Sequence, residues 1–172
     1  VGSEMCIRDR IIKAEVTEVH LKEAKKVIVT DSGTYTAEKV ILANGTSPRK
    51  LGIPGEQELA GRGMALNAAR HGAQYVGKHV YVVGGADGAI KEALYLSKYA
   101  AKVTIIHFEE QLGCIAEFRN KVNQTPNMEL RLHSRLHGVY GVDQVESLEI
   151  ADERTGAVET IEDPGCGISV SY

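Results

Sequence analysis

The chain has 172 residues, 43% hydrophobic and 25% charged, enough for one good core or parts of two. A net charge of −3 leaves no basic footprint, which argues against a nucleic-acid partner, and no stretch approaches the roughly 20 apolar residues of a membrane span. The three cysteines, Cys6, Cys114 and Cys166, are odd in number and far apart. They support neither a disulfide scaffold nor a metal cluster, and a reducing cytoplasm fits them best.

The first ten residues, VGSEMCIRDR, have no signal-peptide layout and resemble a translated sequencing-adapter scar, as does the terminal SVSY. Residues 1–10 and 168–172 are therefore set aside, and the chain is expected to be a fragment cut at both ends. Ile11–Leu21 alternates as a strand through Ile12, Ala14, Val16 and Val19. Lys26–Thr30 and Thr34–Thr36 flank the turn signal Asp31-Ser32-Gly33 and predict a hairpin or meander. KVILA, Lys39–Ala43, is expected as a buried strand ending at Asn44-Gly45. Thr46–Gly55, with Pro48 and Pro54, reads as a linker, and a short helix is expected around Met64–Arg70.

His79–Val83 is a β-branched run that predicts a strand buried on both faces. Gly84 and Gly85 break it. A helical pattern follows, with Ile90, Ala93, Leu94, Ser97 and Ala101 on one face, and Lys102–Ile106 closes the unit as a second strand. Strand, glycine turn, helix, strand is the βαβ module whose helix N-terminus offers unpaired N–H groups to a phosphate. A dinucleotide fingerprint wants Gly-x-Gly-x-x-Gly/Ala; here it reads Gly84, Gly85, Ala86, Asp87, Gly88, Ala89. The turn glycine and the last small residue are kept. Ala86 replaces the glycine where a pyrophosphate approaches closest, and Asp87 is expected to be the helix N-cap. Further on, Gly113–Gln124 predicts a second helix stopped by Thr125-Pro126, and Met128–Leu132 a third parallel strand. Arg135–Tyr140, Val145–Ile150 and Ala157–Ile161 predict an antiparallel meander over one side of the sheet.

The segments VILANGTSPRKLGIPGE, GRGM, GKHVYVVGG, EALYLSKYAAKVTIIH and NMEL together resemble the low-molecular-weight thioredoxin reductases, FAD-dependent pyridine nucleotide-disulfide oxidoreductases. The resemblance runs from about Ile11 to Gly167. It implies an α/β, Rossmann-like FAD/NAD(P)-binding fold in three layers, with a parallel sheet and an antiparallel β-meander, incomplete at both ends. It also implies that 11–59 is the last part of a first FAD segment and that 60–167 is the inserted NAD(P)-binding domain. Ala43, Asn44 and Gly45 then stand at the family's Ala-Thr-Gly beside the flavin nucleotide. Asn44 either keeps a hydrogen bond there or is a turn residue before Gly45.

Two of the family's functional motifs are changed. Its redox CxxC falls on Asn67, Ala68, Ala69 and Arg70, and neither Asn67 nor Arg70 can cycle as a dithiol. His71 follows, either a proton relay or a solvated loop histidine. The family's His-Arg-Arg-x-x-x-Arg, which grips the 2′-phosphate of NADPH, reads His107, Phe108, Glu109, Glu110, Gln111, Leu112, Gly113. Carboxylates where cations are needed disfavour NADPH. Glu109 either accepts ribose hydroxyls, as in NADH sites, or with Glu110 forms a solvated turn before the next helix. The implied function is a flavoprotein oxidoreductase with FAD bound in the full-length protein, fed by ferredoxin or another donor, and not a CxxC disulfide reductase. Alternatives are a non-catalytic flavin- or nucleotide-binding regulatory subunit and an NADH-dependent flavin reductase. A redox protein partner and a homodimer are implied by the resemblance; this fragment alone is expected to be inactive.

Overall fold

The computed structural model describes residues 10–45, 50–66 and 68–171, the side chains at 66 and 68–71 excepted. They fall into two units, the first ending at Ser47 and the second beginning at Pro48.

The first unit is a three-stranded antiparallel meander: β1 (Val16–His20), β2 (Lys26–Thr30) and β3 (Gly33–Ala37), in that spatial order. Thr30 pairs with Gly33, so Asp31-Ser32 is a two-residue connection, and the Thr30 hydroxyl donates to the Gly33 carbonyl at 2.8 Å. Gly33 sits at φ +150°, which a side chain would resist. Two expectations are corrected here. The first strand begins only at Val16, leaving Ile11 90% exposed. Lys39–Ala43 forms no strand, and Ile41 is 92% exposed. An apolar run becomes a buried strand only where backbone partners and a covering layer meet it. Among the described residues neither does.

The second unit holds a five-stranded parallel sheet: β4 (Met64–Leu66), β5 (His79–Val83), β6 (Lys102–Ile106), β7 (Met128–Arg131) and a late strand, Gly167–Val170. The meander strands between are β8 (Ser134–Tyr140), β9 (Ser147–Asp152) and β10 (Val158–Glu162), so the late strand is β11. Sheet order is β4-β11-β5-β6-β7, with the antiparallel β10-β9-β8 apart from it. Strand alternation makes the layers. Val80, Val82, Val103 and Ile105 pack under α1 (Asp87–Leu96) and α2 (Ala116–Gln124) with Ile90, Ala93 and Leu96. Tyr81, Ile106, Ile168 and Val170 face the meander through Leu136, Val139, Leu148 and Ile150. Helices, parallel sheet and antiparallel sheet are the three layers expected, and β7 and the meander lie where the sequence put them.

Three local readings change. Residues set aside at the C-terminal end belong to β11, which lies between β4 and β5 with Ile168 fully buried. Met64–Leu66 is a strand because it pairs in parallel with Ile168–Val170, and the helical turn that follows is a 3-10 helix, Ala68–Tyr75. α2 starts at Ala116 rather than Gly113. The linker is tied down: Glu56 accepts the Leu51 and Gly52 N–H groups at 2.8 and 2.7 Å, and Val139 N–H donates to Pro54 at 3.0 Å.

Candidate functional site

The βαβ turn lies at the C-terminal ends of β5 and β6, where open α/β sheets bind ligands. Gly84 has φ +131°, and a Cβ there would lie 2.2 Å from the Ser171 carbonyl oxygen. A Cβ on Gly85 would lie 2.5 Å from the His107 ring. The glycine pair is therefore required by the chain's own packing, against the end of β11 and against the imidazole at the end of β6. Ala86 is the N-cap of α1, extended at φ −80°, ψ 170°, a conformation alanine takes without strain. Asp87 is not the cap expected. It is the first helical residue, and its carboxylate accepts the Ile115 N–H at 3.0 Å, tying the start of α2 to the start of α1. Gly88 is exposed, and Ala89 is buried beneath the turn.

His107 is 5% exposed. Its Nε2 lies 3.2 Å from the Glu109 carboxylate, while Nδ1, turned toward Gly85, is buried without a partner. An orphaned buried ring nitrogen costs on the order of 1–3 kcal/mol. The loop 108–113 brings no cation of its own. Phe108 is 46% exposed, and the Arg135 guanidinium lies over its ring at 4.7 Å. Arg135 is held by Glu153 through two contacts at 3.0 and 3.2 Å. Arg119 of α2 donates to the Leu112 carbonyl at 3.1 Å. Glu109 is 56% exposed and Glu110 is exposed, so the rim of the turn is acidic.

The other candidates are dispersed. Ala43, Asn44 and Gly45 are exposed in the first unit, with Gly45 at φ +66° and open space where its Cβ would be. Asn67 lies outside the described residues. Arg70 and His71 fall in the 3-10 helix after β4, with only their backbone described. Cys114 and Cys166 are both free and buried. Burial pushes the Cys114 thiol up, and burial with the neighbouring Asp163 pushes Cys166 up to about 12. Neither is a ready nucleophile. Among the described residues no three His, Cys, Asp or Glu side chains gather to hold a metal ion, and no helix is long and apolar enough to cross a membrane.

Sequence reasoning missed a half-buried polar chain at the opposite end of the sheet. Thr104 Oγ1 lies 2.8 Å from His79 Nε2, His79 Nδ1 lies 2.7 Å from Asp163, and the Tyr81 hydroxyl donates to the same carboxylate at 2.9 Å. The spacing mimics a hydroxyl–imidazole–carboxylate triad, but Thr104 is 1% exposed and no substrate can reach it. It fastens the β10–β11 connection to β5 and β6. The residues are far apart in sequence and no motif announces them.

Residues 11–164 match the family of pyridine nucleotide-disulphide oxidoreductases. The chain belongs to that family. Thioredoxin reductases are among its relatives. That of Treponema pallidum is 37% identical over 86% of this chain and 48% of its own length, so the chain spans about half of the curated relatives it matches. The thioredoxin reductase of Giardia duodenalis superposes with a TM-score of 0.79 at 27% identity, over 94% of this chain and 52% of that one. A ferredoxin-flavin thioredoxin reductase from Clostridium acetobutylicum superposes with a TM-score of 0.53 at 25% identity, again over 94% and 52%. The α/β fold in three layers is thus that of the thioredoxin reductases.

Proposed function

We propose that this chain is the inserted nucleotide-type domain, 60–167, with the preceding FAD segment, 11–59, of a flavin-dependent oxidoreductase that does not draw electrons from NADPH. One observation carries the reading. Where the 2′-phosphate would sit, the end of β6 presents Phe108, Glu109 and Glu110, and the nearby Arg135 and Arg119 are engaged by Glu153 and the Leu112 carbonyl. Two unit charges at 4 Å repel by about 1 kcal/mol in water and about 4 kcal/mol near a protein surface. Each hydrogen bond to a charged group that is missing withholds about 1.5–3 kcal/mol more. Together these amount to at least a hundredfold loss for NADPH over an arginine-lined site. The residues present do not fit a 2′-phosphate.

On this proposal FAD is kept in the full-length protein, held in part by the exposed Ala43, Asn44 and Gly45. When bound it supplies one- and two-electron transfer. Without a phosphate clamp, the donor in this proposal is a reduced protein, of the ferredoxin class that the Clostridium neighbour's name records. With Asn67 and Arg70 at the family's cysteine positions, the acceptor is not a disulfide formed there. A redox protein partner and a homodimer complete the proposal.

A second reading, NADH as donor, is favoured by the exposed Glu109 carboxylate beyond β6. One experiment separates them. Full-length flavin-loaded protein is titrated anaerobically with NADPH, NADH and reduced ferredoxin while flavin absorbance is followed. Bleaching by ferredoxin alone is expected; rapid bleaching by NADPH would refute the proposal, and bleaching by NADH would select the second reading. The variant carrying Phe108→Arg, Glu109→Arg and Gly113→Arg is expected to gain NADPH binding.

A further inference from the structure

The N-terminal ends of the parallel strands carry a cavity of about 750 Å³ that the dinucleotide reading does not use. It opens where β4, β5 and β11 begin, about 17 Å, the length of a five-residue strand, from the Gly84–Ala89 turn. Its volume suits a drug-sized ligand. The floor is apolar and rigid: Met64, Tyr75 and Cys166 all line it and are buried. Lys50, Arg62 and Lys78 also line it. Among the described residues neither Lys50 nor Lys78 pairs with a carboxylate, and Arg62 reaches only the Val142 carbonyl at 3.4 Å. Among the described residues of the lining Glu56 is the one acidic side chain, and both its oxygens are occupied by the Leu51 and Gly52 N–H groups. A chain of net charge −3 has thus gathered three cations around an apolar basin.

We infer that this cavity binds a small amphiphilic organic anion, a carboxylate or sulfonate head on an aromatic or aliphatic body. The head meets the lysines and Arg62; the body covers Met64 and Tyr75. The inference is independent of the electron donor, and its failure leaves the flavin titration untouched.

The test is a fluorescence titration of the 172-residue chain with anilinonaphthalene sulfonate. One saturable site is expected, weakened on the order of tenfold by Lys50→Glu with Lys78→Glu and weakened by added salt. Ala60→Trp, a lining residue already exposed, is expected to abolish binding by filling the space. Circular dichroism confirms that these surface variants fold. Binding that ignores both the charge reversals and Ala60→Trp overturns the inference, as does binding lost instead with Ile41→Ser and Leu42→Ser on the exposed run of the first unit. Displacement of the dye by inorganic phosphate, beyond the loss that sodium chloride of equal ionic strength causes, would overturn the apolar half of the assignment, and dye retained under phosphate to the same extent as under that salt supports it.

Discussion

Replacing Gly85 by alanine isolates the steric relation on which the candidate site is built. The backbone at Gly85 lies in a region open to any residue, so no φ penalty enters, and the effect comes only from the methyl group placed 2.5 Å from the His107 ring. The ring is 5% exposed and cannot swing into water, with the Phe108 ring 5.1 Å away. Overpacking of this kind costs about 1–3 kcal/mol. With a urea m value near 2 kcal/mol/M, that lowers the unfolding midpoint by about 1 M. His107→Ala alone has two opposed effects: lost packing, and relief of the unpartnered Nδ1, worth about 1–3 kcal/mol. Its net change is expected to be about 1 kcal/mol or less. In the double variant the alanine methyl enters the space the ring vacates, so Gly85→Ala should there cost under about 0.5 kcal/mol, a coupling of about 1–2 kcal/mol. The assay is urea unfolding of all four proteins by circular dichroism. Losses that simply add, or a Gly85→Ala variant as stable as the parent, would refute the reasoning.

Gly84→Ala combines φ +131° with backbone contact at 2.2 Å, so it should destabilise more than Gly85→Ala in the same unfolding assay. Ile168→Ala removes a fully buried side chain from β11 and should cost about 2–5 kcal/mol; a loss under about 1 kcal/mol would mean that β11 is not part of the cooperative core. His79 gives a pH test. Burial lowers its pKa despite Asp163, with Glu129 also raising it and Lys102 lowering it, so the folded protein resists the protonated ring more than the unfolded chain does. Its contribution is intact above the unfolded value near 6.5 and is lost as pH falls from there through the depressed folded value. His79→Gln should flatten the urea midpoint across that window, and an unchanged slope would assign the acid sensitivity elsewhere. Tyr81→Phe deletes the 2.9 Å bond to Asp163 and should cost about 1 kcal/mol at neutral pH, read from the same midpoints.

The βαβ unit and the meander were legible because their signals are local. His79–Val83 and Lys102–Ile106 are short β-branched runs, and turns at Gly141 and Gly156 punctuate β8 to β10. β4 was not legible, since a three-residue strand carries little pattern and owes its conformation to pairing with β11, and β11 itself falls mostly on the residues set aside as a terminal scar. Asp87 was misread because capping depends on where the helix begins: Ala86 takes the extended cap position and leaves Asp87 to serve α2. Lys39–Ala43 has a strand's composition without, among the described residues, a sheet to join. At the candidate site the loss of the arginines could be read directly. That His107 claims the space beside Gly85 could not, because it depends on how β6 lies against the turn.

The position of β11 also dictates an order of assembly. Among the described residues β4 has no strand partner but β11, and Met64 waits for Ile168 across most of the chain. During synthesis β5, β6 and β7 can pair while one edge of β5 stays open, and the whole meander is made before the keystone arrives. Until then β5 offers unsatisfied backbone groups to any extended segment, a hazard that chaperones or fast domain completion must cover. The nascent chain is thus most exposed to such pairing just before β11 emerges from the ribosome.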